Sequence, residues 1–536
     1  MNDKAGLHAL SRRNVLRQIA GASMLLLGNS MLPRASVAAS AGTLRGAPSG
    51  ALNVAVASLI DQSVDPFYQT GGLARTIGYH LFNMLFRFDD RGQRELDLAE
   101  TFDISADRKT VTFEIRKDAT FWDGSRVSAE DVAWSYETFV SRNPPQGEVP
   151  GLKRLIHSVK ATGPTTVVMT LVAPTSRKTE ELTTWWNISS KAHYNRVGAA
   201  AFRTQPMGTG PYKLVKNQIG AFIDMEANEG HYRKDRVPLA KALHIQVTPE
   251  VTTRIAQLRA GEVDIIDSIT GVQAMQLAGD PGLKVFRAES TALLRINFFD
   301  LQRKRSPWTD IRLREALTIS VNQAEIVQGL LKQGKPSPNA HVFPASKGYN
   351  ESMFPVRKFD PQRAAALVKE AGLQGFSFDI FTYPSGSYPS LPEIAQALAG
   401  YWQAIGLSPR VNVIEAGTFI GKEVNRQMTG VGVQSVAFEN DVRQTANWLI
   451  TGFQWGTTDN FPELDQTYQQ MLAETDSDKQ IALALKMHKF CYDNYLFATG
   501  PWSNSQWAAS SKAKEWIRPV GNPYTTRLES AVLAVK

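Results

Sequence analysis

A chain of 536 residues is too long for one ordinary core and calls for about two or three domains. Its 43% hydrophobic and 21% charged residues are the composition of a soluble globular protein. The net charge is +8, but half of it lies in residues 1–39, where Lys4, Arg12, Arg13, Arg17 and Arg34 face Asp3 alone. No dense basic run with interleaved aromatics follows, so a nucleic-acid partner is not supported.

The first element is an export signal. "SRRNVL" (11–16) precedes a short apolar run, "IAGASMLLLG", and then small residues, "ASVAASAG". A charged start, a short apolar run and an Ala-x-Ala-like site make a secretory signal peptide over 1–39, with cleavage near Ala39 or Ala41. The run is shorter than the roughly 20 residues that a membrane-spanning helix takes. Arg12-Arg13 makes the signal twin-arginine-like, while Val15, where Phe is usual, leaves the general secretory route open. Cys491 is the only cysteine, so no disulfide forms within the chain and no lipid-bearing cysteine follows the signal. It reads as a buried small hydrophobe, and the mature protein as free in the periplasm.

Residues 110–139 gather Asp118, Asp123, Glu130 and Asp131 among Trp122, Trp134 and Tyr136, as a glycosidase might. Local structure explains them better. "TVTFEI" alternates, with Val111, Phe113 and Ile115 on one strand face. Asp123-Gly124 marks a turn. Ser128, three residues before Asp131, makes a capping box that opens a helix with Val132, Tyr136 and Phe139 on its inner face.

Further along, "GLLKQGKP" (329–336) nearly spells a phosphate loop. Pro336, however, stands where a Mg²⁺-binding hydroxyl is needed, and a helical pattern precedes it. Gly334 reads instead as a helix C-terminal glycine. "SKAK" (511–514) lacks the partner motifs of a serine acyltransferase, and the eight histidines have no metal-ligand spacing. No catalytic residue, metal site or cofactor is expected.

The segment "LAETFDISADRKTVTFEIRKDATFWDGSRVSAEDVAWSYE" resembles the hallmark of bacterial family 5 extracellular solute-binding proteins, the dipeptide-, oligopeptide- and nickel-binding components of ABC importers. Leu98-Ala99, Phe113 to Arg116, Trp122-Asp123-Gly124 and Ala129 to Val132 match its pattern, with Arg108 where Gly is common. "DPFYQTGG", "MGTGPYKL", "AQLRAGEVDII", "LRINFFD" and "LPEIAQALAGYWQAIGLSPRVNVIE" extend the likeness over almost the whole mature chain.

The resemblance implies an α/β protein of two lobes, the type II periplasmic-binding-protein fold with mixed sheets flanked by helices. Lobe one is expected over 40–292 with an extra subdomain at 89–206, lobe two over 293–500, and a return to lobe one over 501–536. "LLRINFFD" and "FATGPW" would cross between the lobes, and ligand capture would proceed by hinge closure. Independently, strand and helix patterns alternate through most of the length.

Peptide-binding members often carry a Trp-x-x-Asp-Tyr-x-Asp-Pro-like segment whose aspartate pairs with the ligand ammonium. The corresponding stretch here, "GVGVQSVAFENDVRQTANWLITGFQWGTTDNFPELD", lacks it. In its place, Asp441 or Glu439 is expected to meet a ligand ammonium and Arg443 a carboxylate, against the alternative of a solvated loop. Trp185, Trp186, Asn187, Asn297, Phe438 and Trp448 complete the expected contacts, each with core packing as its alternative. The reading is a monomeric periplasmic receptor that delivers a peptide or peptide-like solute to the permease subunits of an inner-membrane ABC importer. An opine-like conjugate or an oligosaccharide is the alternative ligand, and a secreted hydrolase the alternative class.

Overall fold

The computed structural model describes residues 47–533 except 60–61, 69–70, 90–93, 142–148, 173, 175–185, 302–303, 345, 386–387, 438, 440, 452–460 and 517–523. The expected signal peptide lies outside the described residues.

Two long antiparallel strands, Leu283–Phe298 and Phe497–Ser510, form the spine. Their pairing runs from Leu283↔Ser510 to Asn297↔Phe497, with register slips between Ala288 and Ala292 and again between Leu293 and Arg295. Such irregularities bend and twist a ladder locally. Each end of the spine carries its own strands, so one ten-stranded sheet runs through both lobes. Beyond Leu283–Phe298 come Val431–Ala437, Ser377–Thr382 and Ser408–Val413. Beyond Phe497–Ser510 come Ile265–Ile266, Ala51–Val56, Ala242–Val247, Phe222–Ala227 and Tyr212–Gln218.

The cores follow this division. One gathers Leu294, Ile296, Leu313, Leu398, Trp402 and Met487 around the strands of the second lobe. In the first lobe, Leu52, Val54, Ile245 and Trp507 pack on one sheet face, while Ala55, Leu258, Leu277 and Ala508 pack on the other. Alternation along Ala51–Val56 supplies both faces from one strand.

A smaller sheet, ordered Ala99–Ile104, Thr110–Ile115, Thr166–Leu171 and Ile156–Ala161, has its own core. Val111, Phe113 and Ile115 are its buried face. The Asp123 carboxylate accepts from Ser125 N at 3.0 Å, and Gly124 has φ +84°. Ser128 Oγ accepts from Asp131 N at 3.2 Å, and Asp131 Oδ2 accepts from Ser128 N at 3.0 Å, closing the capping box of Ala129–Ser141. Asp131 Oδ1 also accepts from Lys191 N at 2.9 Å, which ties down the start of a later helix, Lys191–Phe202.

Gly334 departs from its expected role. The left-handed cap of the helical segment Ile326–Leu331 is Lys332, at φ 55°. Gly334 has φ +77° and stands where any Cβ would meet the carbonyl of Trp502, so close backbone approach is what demands glycine there.

Near the end of the described chain, Trp516, Leu528 and Ala531 join the core of Leu52, Val54 and Trp507. Trp507 Nε1 donates to Thr525 Oγ1 at 3.1 Å and Trp516 Nε1 to the Thr526 carbonyl at 2.9 Å. No helix among the described residues is long and apolar enough to cross a membrane.

Candidate ligand-binding cleft

Strand direction places the cleft. Ala51–Val56 and Ile265–Ile266 run parallel in the first lobe, as do Ser377–Thr382 and Val431–Ala437 in the second. Their carboxyl ends point at the crossing, since Ile266 pairs with Ala508 and Ala437 with Ala292. The crevice outside such carboxyl ends is where open α/β sheets bind ligands.

On the first-lobe edge, Asp267 Oδ1 accepts from Ala57 N at 2.8 Å and ties the ends of two strands together. Arg254 Nη1 donates to the carbonyls of Thr248 and Pro249 at 2.6 and 2.7 Å, and its Nη2 reaches those of Asp267 and Ser268 at 3.3 and 3.4 Å. Burial raises the Asp267 carboxyl, against the nearby Arg254 charge. Ser268, half-buried, is held at φ +55°, a conformation that non-glycine residues adopt mainly where their surroundings force it.

On the second-lobe edge, Ser385 Oγ and Ser435 Oγ are 3.0 Å apart, and the Tyr383 ring lies 4.8 Å from that of Phe419. Burial raises the Tyr383 phenol, and the Glu423 charge raises it further, while hydrogen bonding to Ser435 opposes the shift.

Beneath the second-lobe sheet lies a buried polar set. Glu423 Oε1 accepts from Asn297 Nδ2 at 3.2 Å and from Gln434 Nε2 at 3.0 Å. Burial pushes the Glu423 carboxyl up to about 7, with the Arg295 charge opposing it. Burial likewise lowers Arg295 to about 10, against the attraction of Glu423. The Arg295 guanidinium stands 5.2 Å from the Phe497 ring centre.

The expected contact residues are dispersed. Trp185 and Phe438 lie outside the described residues. Trp186 is core: it is 1% exposed, with its ring 5.1 Å from Tyr136. Asn187 is half-buried, and its Nδ2 donates to the Pro66 carbonyl at 3.3 Å. Asn297 is fully buried on Glu423, within the lobe and away from its surface. Trp448 is half-buried, its ring 4.8 Å from His341.

Asp441 and Arg443 come together and are buried, so the solvated-loop alternative does not describe them. Arg443 Nε donates to Asp441 Oδ1 at 2.9 Å and Nη2 to Oδ2 at 2.5 Å, a two-point pair. Gln480 Oε1 accepts from Arg443 Nη1 at 3.1 Å, and Asp441 also caps Val442–Ala446 through Arg443 N at 2.9 Å. Both side chains are buried. Charges out of water need partners, and these two supply each other. The half-buried Glu439 offers its carbonyl to Ser346 Oγ.

Sequence reasoning missed Tyr383, Ser268, and the Arg295–Glu423 set. Only Arg295 left a trace, as a charge inside the apolar run "ALLRINFF".

A model of the bacterial extracellular solute-binding proteins, family 5 (middle region), matches residues 94–478. The chain belongs to this family. Among similar family 5 solute-binding proteins is the dipeptide-binding protein of Escherichia coli K12, 26% identical, with the match covering 63% of this chain and 67% of the relative. A dipeptide-binding protein from Pseudoalteromonas sp. SM9913, solved with Met-Leu, superposes with TM-score 0.80 at 20% identity over 90% of this chain and 100% of that one. MoaA from A. tumefaciens R10, solved with mannopinic acid, gives TM-score 0.76 at 20% identity over 90% and 99%. These structures share the two-lobed fold.

Proposed function

We propose that this family 5 protein is the periplasmic receptor of an ABC importer. It captures a peptide or peptide-like solute between its lobes and presents it, as a monomer, to the permease subunits of the inner membrane. The observation that carries the reading is the family match over residues 94–478, together with a peptide-binding relative aligned over 63% of the chain. The cleft supports it: main-chain groups and hydroxyls at facing strand ends suit a ligand rich in amide groups. We assign Tyr383, Ser385, Ser435 and Ser268 to its walls. Among the described residues, no group of three or more His, Cys, Asp or Glu side chains is placed to hold a metal.

An opine-like conjugate is the second reading. It is favoured by one feature: the acid nearest the family's anchor position, Asp441, is occupied by Arg443. The deciding experiment is native mass spectrometry of protein taken gently from the periplasm, followed by release and sequencing of whatever is bound. A peptide recovered intact after prolonged incubation supports the first reading. A sugar-acid conjugate supports the second, and a cleaved product would make the protein a hydrolase.

A further inference from the structure

Four histidines are buried among the described residues: His80, His231, His341 and His488. Three of them are fixed by protein groups. His80 bonds the Thr76 carbonyl and accepts from Leu528 N at 3.2 Å. His231 Nδ1 accepts from Arg233 N at 3.1 Å, and His488 Nε2 lies 3.0 Å from Thr445 Oγ1. His341 differs: it is 0% exposed, and neither ring nitrogen has a hydrogen-bond partner. Burying a polar group unmet is costly, so a chain rarely keeps one without a use for it.

The loop that carries His341 is tied at both ends. Ser337 Oγ donates to the Gly500 carbonyl at 2.5 Å and Trp502 Nε1 to the Val342 carbonyl at 3.3 Å, both on a crossing strand. Further on, Ser346 Oγ bonds the Glu439 carbonyl, and Val442 N donates to the Lys347 carbonyl at 3.1 Å. Glu439 and Val442 lie just past the carboxyl end of Val431–Ala437. The loop therefore runs from the crossing to a strand end that borders the cleft. Trp448, half-buried, packs edge-on against the imidazole at 4.8 Å, and the Phe497 ring lies 6.3 Å away. The imidazole is held by these neighbours, directly behind a residue that itself reaches the surface.

Burial, with the Arg295 and His488 charges, keeps His341 well below the usual imidazole range, so the ring is neutral. A neutral imidazole offers one N–H and one lone pair. A ligand ammonium would meet the lone pair but approach Arg295, whose guanidinium stands 5.2 Å from the same Phe497 ring. A carboxylate would meet the N–H alone, and Glu423 already answers the Arg295 charge. Hydroxyl and amide groups both donate and accept. We propose that His341 is a specificity-determining residue of the cleft, reading an uncharged hydroxyl or amide group of the solute. The inference rests on the receptor reading above and narrows its ligand.

The test uses the mature protein with alanine di-, tri- and tetrapeptides that carry one Asn, Leu, Asp or Lys at each position in turn. Calorimetry on the wild type should find one position where Asn is preferred to Asp, Lys and the similarly shaped Leu. The margin over Leu should be about five- to a hundredfold, the effect of leaving a buried polar group unpaired. His341→Phe keeps a ring of similar size without the nitrogens. It should bring the Asn-to-Leu ratio close to one while the melting temperature stays level or rises, because two unmet polar groups disappear. An imidazole with a purely structural role would give a lower melting temperature and an unchanged ratio. Should His341→Phe fail to fold, the wild-type ranking decides alone. Peptides bound with no preference for Asn, or a preference that survives in His341→Phe, overturn the inference and leave the receptor reading standing. Binding of none of the peptides overturns the peptide reading and this inference with it.

Discussion

Arg236 and Glu529, 293 residues apart, form a buried ion pair in which Arg236 Nε and Nη2 reach Glu529 Oε1 at 3.2 and 3.0 Å. It fastens the C-terminal return to the first lobe. Asp97 stands on the other side of Arg236, 3.8 Å from Nη1, and accepts from Asn83 Nδ2 at 2.7 Å and Tyr232 OH at 3.0 Å. Despite burial, Arg236 and Arg527 hold the Glu529 carboxyl down to about 2.

Glu529→Gln should therefore destabilise the protein by about 3–5 kcal/mol, the usual effect of breaking one side of a buried pair. The pH sign follows from the depressed carboxyl. Its contribution is fully present above the unfolded value near 4.5 and is lost as pH falls through about 2. Urea unfolding of both proteins at pH 7 and pH 3 checks this: the gap should narrow at the lower pH. A gap independent of pH would remove Glu529 ionisation from the account.

Glu423 behaves in the opposite sense. Its folded value of about 7 exceeds the unfolded 4.5, so the folded state retains a proton that the unfolded chain releases. Stability from this group is greatest below 4.5 and declines as pH rises toward 7. Glu423→Gln, which keeps an acceptor for Asn297 and Gln434, should flatten the fall in melting temperature between pH 5 and pH 8. Equal slopes in the two proteins would show that the decline has another source.

Asp441→Asn should act on stability. Leaving Arg443 buried without its carboxylate costs about 3–5 kcal/mol, and Gln480 offers only a neutral acceptor in return. Thermal unfolding tests the loss, with calorimetry on the co-purified solute run below the variant's melting temperature. A variant that melts like the wild type but binds at least tenfold more weakly would return Asp441 to the role of ligand anchor.

Export supplies a prediction of a different kind. Mature protein should begin near Ser40 or Gly42, and replacing both Arg12 and Arg13 with lysine should leave precursor in the cytoplasm. N-terminal sequencing of periplasmic extracts measures both. Undiminished export of the double variant points to the general secretory route.

Local signals made much of the fold readable in advance. Alternation in "TVTFEI" and the Ser128–Asp131 box are decided within a few residues, and the structure realises both. The cleft was harder. Asn297 reads as a polar strand residue, but whether it faces ligand or interior depends on Glu423, which lies 126 residues away. Arg295 raises the same difficulty: a charge in a buried strand announces a partner without naming it. Asp441 and Arg443 were expected to meet a ligand, and nothing in "FENDVRQ" shows that they would pair with each other or that Gln480 would arrive to help bury them.

The spine has a consequence for how the chain is made. Ala51–Val56, among the first strands to leave the ribosome, lies beside Ile265–Ile266, which pairs in turn with Phe497–Ser510. Lys512 Nζ then donates to the Ala51 carbonyl at 2.9 Å. During vectorial synthesis Ala51–Val56 has both its sheet neighbours by residue 266, but the outer edge of Ile265–Ile266 must wait for nearly the last strand, whereas most of the second lobe's core comes from one continuous stretch of chain. Assembly of the first lobe is thus set by the completion of translation, and a chain cut short before Phe497 would leave the edge of Ile265–Ile266 unpaired and open to aggregation.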